Sequence, residues 1–464
     1  MTDLGYRSSV DLVAAIRAGE LGSRELLDHL LERIDRHDPD LNAVVTRDVE
    51  RARAAADAAD QATARGEDLG PLHGLPMTVK DCFETEGLRT TCGVPELSDH
   101  VPSDDAATVA RLKAAGAIVF GKTNTPTWTS DIQTHNPVFG TSSNPWDTGR
   151  TTGGSSGGSA AALAAGLTPL ELGSDIGGSI RNPSHLCGTV GHKPSYGIVP
   201  LAGHLPGPPG TLGRADVNVC GPMARTVDDL ALALEVLAGP DALDAPAWRL
   251  DLPPAPGELR VGAWLEDPAL PVDPSVADVL EAAVGRLDDA GVAVDRSARP
   301  AIDAAEAVGT YLTLVGSAMS VVDPDDPPGP GLTHRQWMTF DEQRQRQRRA
   351  WGELFAQVDV LLCPVLPVAA FPHDVDDEPL GIIRRTIPVG DRVLAHAELT
   401  NWCGVVGVSF LPSTVVPVGF TDEGLPVGIQ VVAGFLRDRT ALAAAARLEE
   451  VLGGFTPPPG YGGA

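Results

Sequence analysis

Apolar residues recur along the chain at two spacings, one typical of helices and the other of strands. In residues 23–37, five leucine and isoleucine side chains lie three or four positions apart, which predicts a helix with one buried face. Ser23 is the candidate N-cap of this helix, and Pro39 lies just beyond its expected end. In residues 75–80, apolar and polar residues alternate, which predicts a short strand that carries Lys80 on its polar face.

The remaining patterns predict helices and strands that follow one another along the chain. Helices are expected at residues 49–66, 105–116, 159–167, 226–239 and 438–454, a strand at 117–123, a proline-rich connection into a strand at 245–264, a helix and then a strand at 276–295, an exposed loop at 321–331, a buried strand at 358–370, and two strands joined by a turn at 413–432. Strands connected through helices are typical of the α/β class. We therefore predict one α/β domain in which helices cover a sheet.

Composition is that of a globular chain, and charge limits the class of partner. The chain has 464 residues, of which 43% are hydrophobic and 21% charged, enough for one large domain. Lys and Arg number 35 against 62 Asp and Glu, a net charge of −27. Such a surface repels phosphate backbones, so we expect no nucleic-acid partner. No stretch resembles a secretory leader or a membrane span, so a cytoplasmic location is expected.

The cysteines and histidines do not form a recognisable metal-binding pattern. Six cysteines are scattered along the chain without a CxxC pair, so reduced thiols are expected. His185, Cys187 and His192 lie close together in sequence, but no fourth ligand is near them, which favours a structural role. We expect neither a metal nor a cofactor.

Two short motifs match known site patterns in the wrong structural context. Residues 116–123, GAIVFGKT, match the phosphate-binding loop, but the residues between the glycines are the predicted strand itself. Residues 153–157, GGSSG, match the nucleophile elbow of α/β-hydrolases, but no apolar strand precedes them. Neither motif is therefore assigned its usual function.

Lysine is rare in this chain, which draws attention to each lysine. Only Lys80, Lys113, Lys122 and Lys193 are present among the 35 basic residues, and a buried lysine can accept a proton whereas arginine cannot. Such a base could activate a serine hydroxyl, which is otherwise a weak nucleophile. Taken alone, these patterns also allow Lys80 to be a surface lysine, and the serines at 155, 156 and 179 to be linker or helix-cap residues.

Residues 153–200, GGSSGGSAAALAAGLTPLELGSDIGGSIRNPSHLCGTVGHKPSYGIVP, resemble the signature region of the amidase signature family of serine hydrolases. The similarity extends to GLPMTVKD, GKTN, NPWD, GPMARTVDDLAL and GLPVGIQVV, and so covers most of the chain. It implies a single domain over residues 1–464, with a central mixed β-sheet covered by helices on both faces. Residues 80–200 would form its core, and residues 240–345 a variable elaboration of helices and loops.

The resemblance also implies a role for each candidate site residue. Lys80 corresponds to the general base, Ser155 to a bridging serine that follows a cis peptide, and Ser179 to the nucleophile that becomes acylated. The other implied residues are the oxyanion donors Ile176, Gly177 and Gly178, the supporting pair Asp175 and Arg181, and the substrate contacts Trp128, Thr129 and Gly154. Trp128, Phe139, Trp337 and the loop 199–219 are the candidate pocket walls, and Lys122 and Lys193 are assigned to structure.

The function implied is hydrolysis of the C–N bond of small apolar or aromatic amides, with ester and carbamate (urethane) cleavage as further activities. The sequence is similar to bacterial aryl-acylamidases, fatty acid amide hydrolases and urethane-cleaving amidases. The alternative is an inactive or amidotransferase-type subunit that acts in a complex. Residues 200–222 differ from the loop typical of the glutamine-dependent subunit, which disfavours that alternative. We expect a small-molecule substrate and a monomer or homodimer.

Overall fold

Eleven strands build one mixed β-sheet in a computed structural model that describes residues 3–319, 331–375 and 381–462. The strands are β1 Val44–Arg47, β2 Pro76–Lys80, β3 Ile118–Thr123, β4 Glu171–Asp175, β5 Val190–Lys193, β6 Val219–Ala224, β7 Val261–Ala263, β8 Val294–Asp295, β9 Val360–Pro364, β10 Ser413–Phe420 and β11 Pro426–Ala433. Their order in the sheet is β1-β3-β2-β4-β6-β5-β10-β11-β9-β7-β8. β2 pairs in parallel with β3 and β4, and β7 with β8 and β9, whereas the other neighbours are antiparallel.

Helices connect these strands and cover the sheet. They are α1 Ser9–Arg17, α2 Ser23–His37, α3 Val49–Ala64, α4 Ala107–Ala114, α5 Gly157–Ala164, α6 Arg181–Cys187, α7 Val227–Leu237, α8 Pro274–Asp289, α9 Ala304–Met319, α10 His334–Leu354, α11 Gly381–Arg384, α12 Asn401–Gly407 and α13 Asp438–Leu452. Small hairpins outside the sheet pair His135–Asn136 with Gly140–Thr141, Ser143–Asn144 with Asp147–Thr151, and Thr386–Val389 with Arg392–Ala395.

Both faces of the sheet are covered, as β11 illustrates. Side chains alternate along a strand, so Val427 and Ile429 face one way, where they share a core cluster with Leu448 of α13. Gly428 faces the other way, where an added Cβ would lie 3.2 Å from the Cα of His185 in α6. The predicted fold class, a single α/β domain with a mixed sheet between helical layers, is confirmed.

Several predicted elements have different limits in the structure. The N-cap of α2 is Gly22 rather than Ser23, because the Ser23 hydroxyl donates to the carbonyl of Gly74 at 2.5 Å instead of capping the helix. The strand predicted at 358–370 is β9 alone, which ends at Pro364. Residues 320–330, and with them most of the predicted loop 321–331, lie outside the described residues.

The two misleading motifs are explained by their positions. Residues 118–123 of the phosphate-loop match are β3 itself, and Lys122 is buried, where it donates to the carbonyl of Phe83 and to Thr85 Oγ1. The GGSSG motif follows a polar strand of a two-stranded hairpin outside the main sheet, so it has no apolar strand before it. Within the described ranges, no helix has the length and apolar character to cross a membrane.

Candidate active site

Lys80 ends β2 at the edge where the carboxyl ends of two neighbouring parallel strands meet. β2 pairs with β4 at Thr78 and Val79, so the side chains that leave the ends of these strands converge. Lys80 is fully buried, and its Nζ donates to Ser155 Oγ at 2.6 Å and to Ser174 Oγ at 3.0 Å. The structure thus brings Lys80 into direct contact with one of its two predicted serine partners.

The surroundings of Lys80 disfavour its charged form. Burial removes water from the ammonium group and lowers the pKa of Lys80 from its ordinary value. The thiols of Cys82, Cys92 and Cys220 and the carboxylate of Asp175 act in the opposite direction and only partly offset this effect. An amine whose proton is destabilised in this way is suited to accept one from a neighbouring hydroxyl.

Ser155 and Ser179 lie on two loops that are joined by the backbone. Ser155 precedes α5, and the Gly154–Ser155 peptide is cis. The next residue, Ser156, donates its N–H to the carbonyl of Ser179 at 3.1 Å. Ser179 lies in the turn between β4 and α6 and is 8% exposed, whereas Lys80 is inaccessible. A molecule that approaches from solvent therefore reaches Ser179 before Lys80.

Asp175 and Arg181 form a buried ion pair that holds the turn around Ser179. Arg181 NH2 lies 2.8 Å from Asp175 Oδ1, and its Nε donates to Oδ2 at 3.0 Å, with both side chains fully buried. Burial alone would raise the pKa of Asp175, but the charge and hydrogen bonds of Arg181 outweigh it and lower the pKa to about 2. Arg181 also donates to the Cys403 carbonyl and to Gln430 Oε1, both at 2.9 Å, which fastens the turn to α12 and β11.

The backbone N–H groups of this turn differ in their availability. Gly178 donates its N–H to Asp175 Oδ1 at 2.8 Å, so that N–H is already occupied and does not fit the oxyanion role expected for Gly178. Within the described ranges, the N–H groups of Ile176, Gly177 and Ser179 have no protein acceptor. The N–H groups of Ile176, Gly177 and Ser179, unlike that of Gly178, are therefore available to another acceptor.

The residues expected to contact substrate lie on segments that touch one another. Trp128 and Thr129 form a 3₁₀ turn in which both residues have left-handed backbone angles, with φ of 52° and 56°. Gly154 packs against the residues that follow this turn, since an added Cβ on Gly154 would be 2.6 Å from the carbonyl oxygen of Asp131. Phe139, a candidate pocket wall, instead packs its ring against the Arg89 guanidinium at 4.9 Å.

Ile176 packs against an apolar group of side chains, here called the aromatic cluster. Its members are Ile176, Tyr196, Val217, Tyr311, Leu314, Val315, Met319, Trp337, Phe340, Val408 and Phe410. It includes the predicted wall residue Trp337 and one residue of the loop 199–219. Asp216 of that loop is bound by Arg344 of α10 at 2.7 Å, which fixes the loop against the helix. The turn that carries Ser179 therefore has an aromatic neighbourhood.

Two side chains near the turn were not predicted as contacts. Ser174 accepts from Lys80, and its place next to Asp175 at the end of β4 is the only local signal that could have indicated this. Tyr311 of α9 lies so close to Gly177 that a Cβ there would collide with its hydroxyl, which also contacts Thr400 Oγ1 at 3.1 Å. No local pattern marks Tyr311, because it is more than 130 positions away along the chain.

The residues considered as metal ligands have separate partners. His185 Nδ1 accepts from the Gly428 N–H at 2.9 Å, and its Nε2 lies 3.1 Å from the Val368 carbonyl. His192 contacts Asp438 at 3.2 Å and Thr414 at 2.9 Å. In the part of the chain that the structure describes, no three His, Cys, Asp or Glu side chains gather in a way that could hold a metal ion.

Comparison with known proteins relates this arrangement to one family. The Amidase family model matches residues 25–327 and 329–442. A glutamyl-tRNA(Gln) amidotransferase subunit from Roseiflexus sp. (strain RS-1) is 34% identical over 95% of this chain and 96% of that protein. The indoleacetamide hydrolase of Bradyrhizobium diazoefficiens is 36% identical over 96% of this chain and 86% of that protein. A solved chain, described as part of a vestigial complex that reveals the origins of an s-triazine catabolic enzyme, is 30% identical with a TM-score of 0.82, covering 97% of this chain and 100% of that one.

Proposed function

The chain belongs to the amidase family, and we propose that it hydrolyses small apolar or aromatic amides through an acyl-enzyme on Ser179. The observation that carries this proposal is the 2.6 Å hydrogen bond between Lys80 Nζ and Ser155 Oγ in a fully buried environment. A lysine without water around it, in contact with a hydroxyl, can take up a proton that a lysine in solvent would not.

The proposed reaction begins with two proton transfers. Neutral Lys80 accepts the hydroxyl proton of Ser155, and Ser155 takes the proton of Ser179 as the Ser179 oxygen attacks the amide carbon. The carbonyl oxygen becomes negatively charged beside the N–H groups of Ile176, Gly177 and Ser179. One such donor contributes about 2.7–4 kcal/mol to the stability of the transition state in a serine hydrolase.

The proton then returns by the same route. Protonated Lys80 gives it back through Ser155 to the amine nitrogen as the C–N bond breaks, which releases the amine and leaves an ester on Ser179. A water molecule attacks this ester, with Lys80 again as the proton acceptor, and the carboxylic acid leaves. The Asp175–Arg181 pair does not exchange protons in this scheme, since it holds the turn that carries the donors.

The substrate class follows from the neighbourhood of Ile176. Partly exposed members of the aromatic cluster, namely Ile176, Tyr196, Trp337 and Phe340, would present apolar surface to a substrate, which favours an apolar or aromatic substituent. The indoleacetamide hydrolase among the relatives has a name that denotes an aromatic amide. Trp128, Thr129 and Gly154 stay proposed as further contacts. Esters and carbamates, including urethanes, present the same carbonyl with a different leaving group and are proposed as side activities.

The experiment that tests the proposal uses a chromogenic anilide, an ester and a carbamate, together with a fluorophosphonate label. We expect turnover of at least one substrate and one covalent adduct, which peptide mass spectrometry assigns to Ser179. Ser179→Ala should lose both, because no other atom can form the ester. Ser9→Ala is the control, since Ser9 is also a buried serine and its hydroxyl donates to the Pro169 carbonyl rather than to a group of the proposed site. An adduct on another serine would refute the assignment.

A second candidate is an amidotransferase-type subunit, which the similarity to the glutamyl-tRNA(Gln) amidotransferase protein supports. Such a subunit would release ammonia from glutamine, a small polar amide that the aromatic cluster does not favour. Glutamine turnover with no anilide turnover would favour this candidate. Size-exclusion chromatography with light scattering would show in the same preparation whether the chain is a monomer or a homodimer.

A further inference from the structure

A second path of hydrogen-bonding groups leaves Lys80, besides the contact to Ser155. Lys80 donates to Ser174 Oγ at 3.0 Å, and Ser174 Oγ lies 3.9 Å from Cys82 Sγ. Cys82 Sγ in turn lies 3.4 Å from His204 Nε2, and the other ring nitrogen of His204 lies 3.4 Å from Asn218 Nδ2. All of these side chains are buried, although His204 and Asn218 belong to the loop 199–219.

The backbone holds His204 firmly at this place. Leu205 donates its N–H to the Cys82 carbonyl at 2.8 Å, and Glu84 donates to the Gly203 carbonyl at 3.0 Å. The ring of His204 packs on that of Phe83, with centroids 5.0 Å apart. The loop is therefore paired to the chain that directly follows Lys80, and the His204 ring is held beside Cys82 by its contacts with Phe83 and Asn218.

The partners of His204 determine which ring nitrogen carries the proton. An amide NH₂ group can only donate, so Asn218 Nδ2 requires that Nδ1 of His204 accept. Burial, together with the nearby charge of Lys80, lowers the pKa of His204 to about 3, so the ring is neutral at ordinary pH. The single ring proton is then on Nε2, which donates to the sulfur of Cys82.

This arrangement gives the path a direction. Along the path, the N–H of Asn218 donates to His204 and the N–H of His204 donates to Cys82, so both donors follow one another in the sense that leads to Lys80. Dipoles aligned in this sense disfavour a further positive charge at the end of the path. The titratable groups that face Lys80 are the thiols of Cys82, Cys92 and Cys220 and the carboxylate of Asp175. All four act in favour of a charged lysine, and the pairing of Asp175 with Arg181 limits the share of Asp175.

We propose that His204 is a positioning residue of the amide hydrolysis proposed above: through Cys82 and Ser174 it keeps the Lys80 amine uncharged and turned towards Ser155. The inference rests on the proposed role of Lys80 as the base. His204 touches no reacting atom, so its effect is on the protonation of Lys80 and not on substrate binding. Its replacement should change the pH at which the enzyme becomes active and leave KM unchanged.

The test follows the rate of fluorophosphonate labelling of Ser179, and kcat/KM for the best substrate of the panel, as functions of pH in the full-length protein. Three variants are compared with the wild type. His204→Leu removes the ring N–H but keeps the site filled, and His204→Gln keeps an N–H donor. His73→Leu is the control, because His73 is equally buried and bonded to Thr63 Oγ1 at 2.8 Å and to the Leu69 N–H at 2.8 Å, in another part of the fold.

We expect the pH midpoint of His204→Leu to move upwards by about half a unit to one unit, which lowers both rates roughly 3- to 10-fold on the acid side and little on the plateau. His204→Gln should have the wild-type pH midpoint. His73→Leu should lower the melting temperature but leave the pH midpoint unchanged. If His204→Leu does not fold, Asn218→Leu, which removes the amide that fixes the ring proton, should move the midpoint in the same direction.

Three outcomes would overturn the inference, and they are distinguishable. An unmoved midpoint in a folded His204→Leu or Asn218→Leu protein, or the same shift in His204→Gln as in His204→Leu, would refute the role of His204 while the proposed function stands. A wild-type labelling rate that does not rise with pH would refute Lys80 as the base, and this inference with it.

Discussion

Two fully buried lysines lie at or next to the ends of neighbouring parallel strands of the sheet, yet their surroundings suit different tasks. Lys80 ends β2, and Lys122 is the last residue but one of β3, beside Val79 in the strand register. Lys122 donates to the Phe83 carbonyl and to Thr85 Oγ1, and Asp81 favours its charge. Lys80 instead donates to the hydroxyls of two serines, Ser155 and Ser174.

The difference between these partners decides which lysine can take part in chemistry. A carbonyl has no proton to give, and the hydroxyl of Thr85 already donates to the Phe83 carbonyl at 3.1 Å. Burial lowers the pKa of Lys122 to about 8 even with Asp81 nearby, so burial alone does not distinguish the two lysines. Ser155 differs because its hydroxyl accepts from Lys80 and its neighbour Ser156 is bonded to Ser179, so that in the proposed mechanism its proton can pass to Lys80. What distinguishes a base from a structural lysine is thus the proton that its neighbour can supply.

The largest effect is expected when each lysine is replaced by Met. Lys80→Met should lower kcat/KM by about 10³-fold or more, since a general base is lost, while the melting temperature stays equal or rises because a buried amine is removed. Lys122→Met should change kcat/KM less than about threefold but cost about 1–3 kcal/mol of unfolding free energy, because the Phe83 carbonyl loses its donor. Kinetics and thermal denaturation measure both quantities.

Lys80→Arg tests whether Lys80 acts as a base or only through its positive charge. Arginine keeps the positive charge and nearly the length, but it cannot give up its proton, so we expect it to be as inactive as Lys80→Met. A Lys80→Arg protein with most of its activity would show that Lys80 acts through its charge, and the comparison with Lys122 would then fail.

A smaller effect is expected when the hydroxyl that accepts from each lysine is removed. Ser155→Ala should lower kcat/KM by about 10²- to 10³-fold, because the proton no longer passes from Ser179 to Lys80, and slow labelling of Ser179 should persist. Thr85→Val, the matched change beside Lys122, should leave kcat/KM within about twofold and lower only the stability. Equal losses of activity in the two variants would contradict the assignment.

The pH dependence of the rate is a further way to separate the two lysines. In the proposed mechanism the neutral amine is the active form, so kcat/KM should rise about tenfold per pH unit below the pKa of Lys80 and then level off, with an optimum in the neutral to alkaline range. Lys122→Met should have the same midpoint as the wild type. A shifted midpoint in Lys122→Met would show that the titrating group is Lys122 on β3 and not Lys80 on β2.

The smallest effect on kcat/KM is expected at Glu171. This buried acid on β4 is bonded to Thr78 of β2 and Thr123 of β3. Burial raises its pKa to about 8, so between pH 4.5 and 8 the folded protein holds a proton that the unfolded chain has lost. The unfolding free energy should therefore fall by up to about 1.4 kcal/mol per pH unit through this window and level off above it. Glu171→Gln should flatten this dependence with little change in kcat/KM, as measured by denaturation at several pH values.

Local patterns were sufficient for the fold class and for several elements. The helical stripe of residues 23–37 and the alternation around Lys80 depend on spacing within a few turns or residues, so α2 and β2 were predicted nearly to their observed ends. Caps and strand ends were less accurate, because the Ser23 hydroxyl and the residues after Pro364 find partners that are distant in sequence.

The sequence by itself determined that the chain is an α/β protein and that Lys80, Ser155 and Ser179 stand in segments similar to those of one family. Only the tertiary structure decided that Lys80 and not Lys122 meets Ser155, that the Gly178 N–H is occupied by Asp175, and that His204 reaches Cys82 from 122 positions away. The physical reason is that burial and hydrogen bonding depend on which distant segments pack together. The spacing of residues within a segment determines the secondary structure of that segment. It does not determine which distant residues contact a buried group and so set its protonation or its charge.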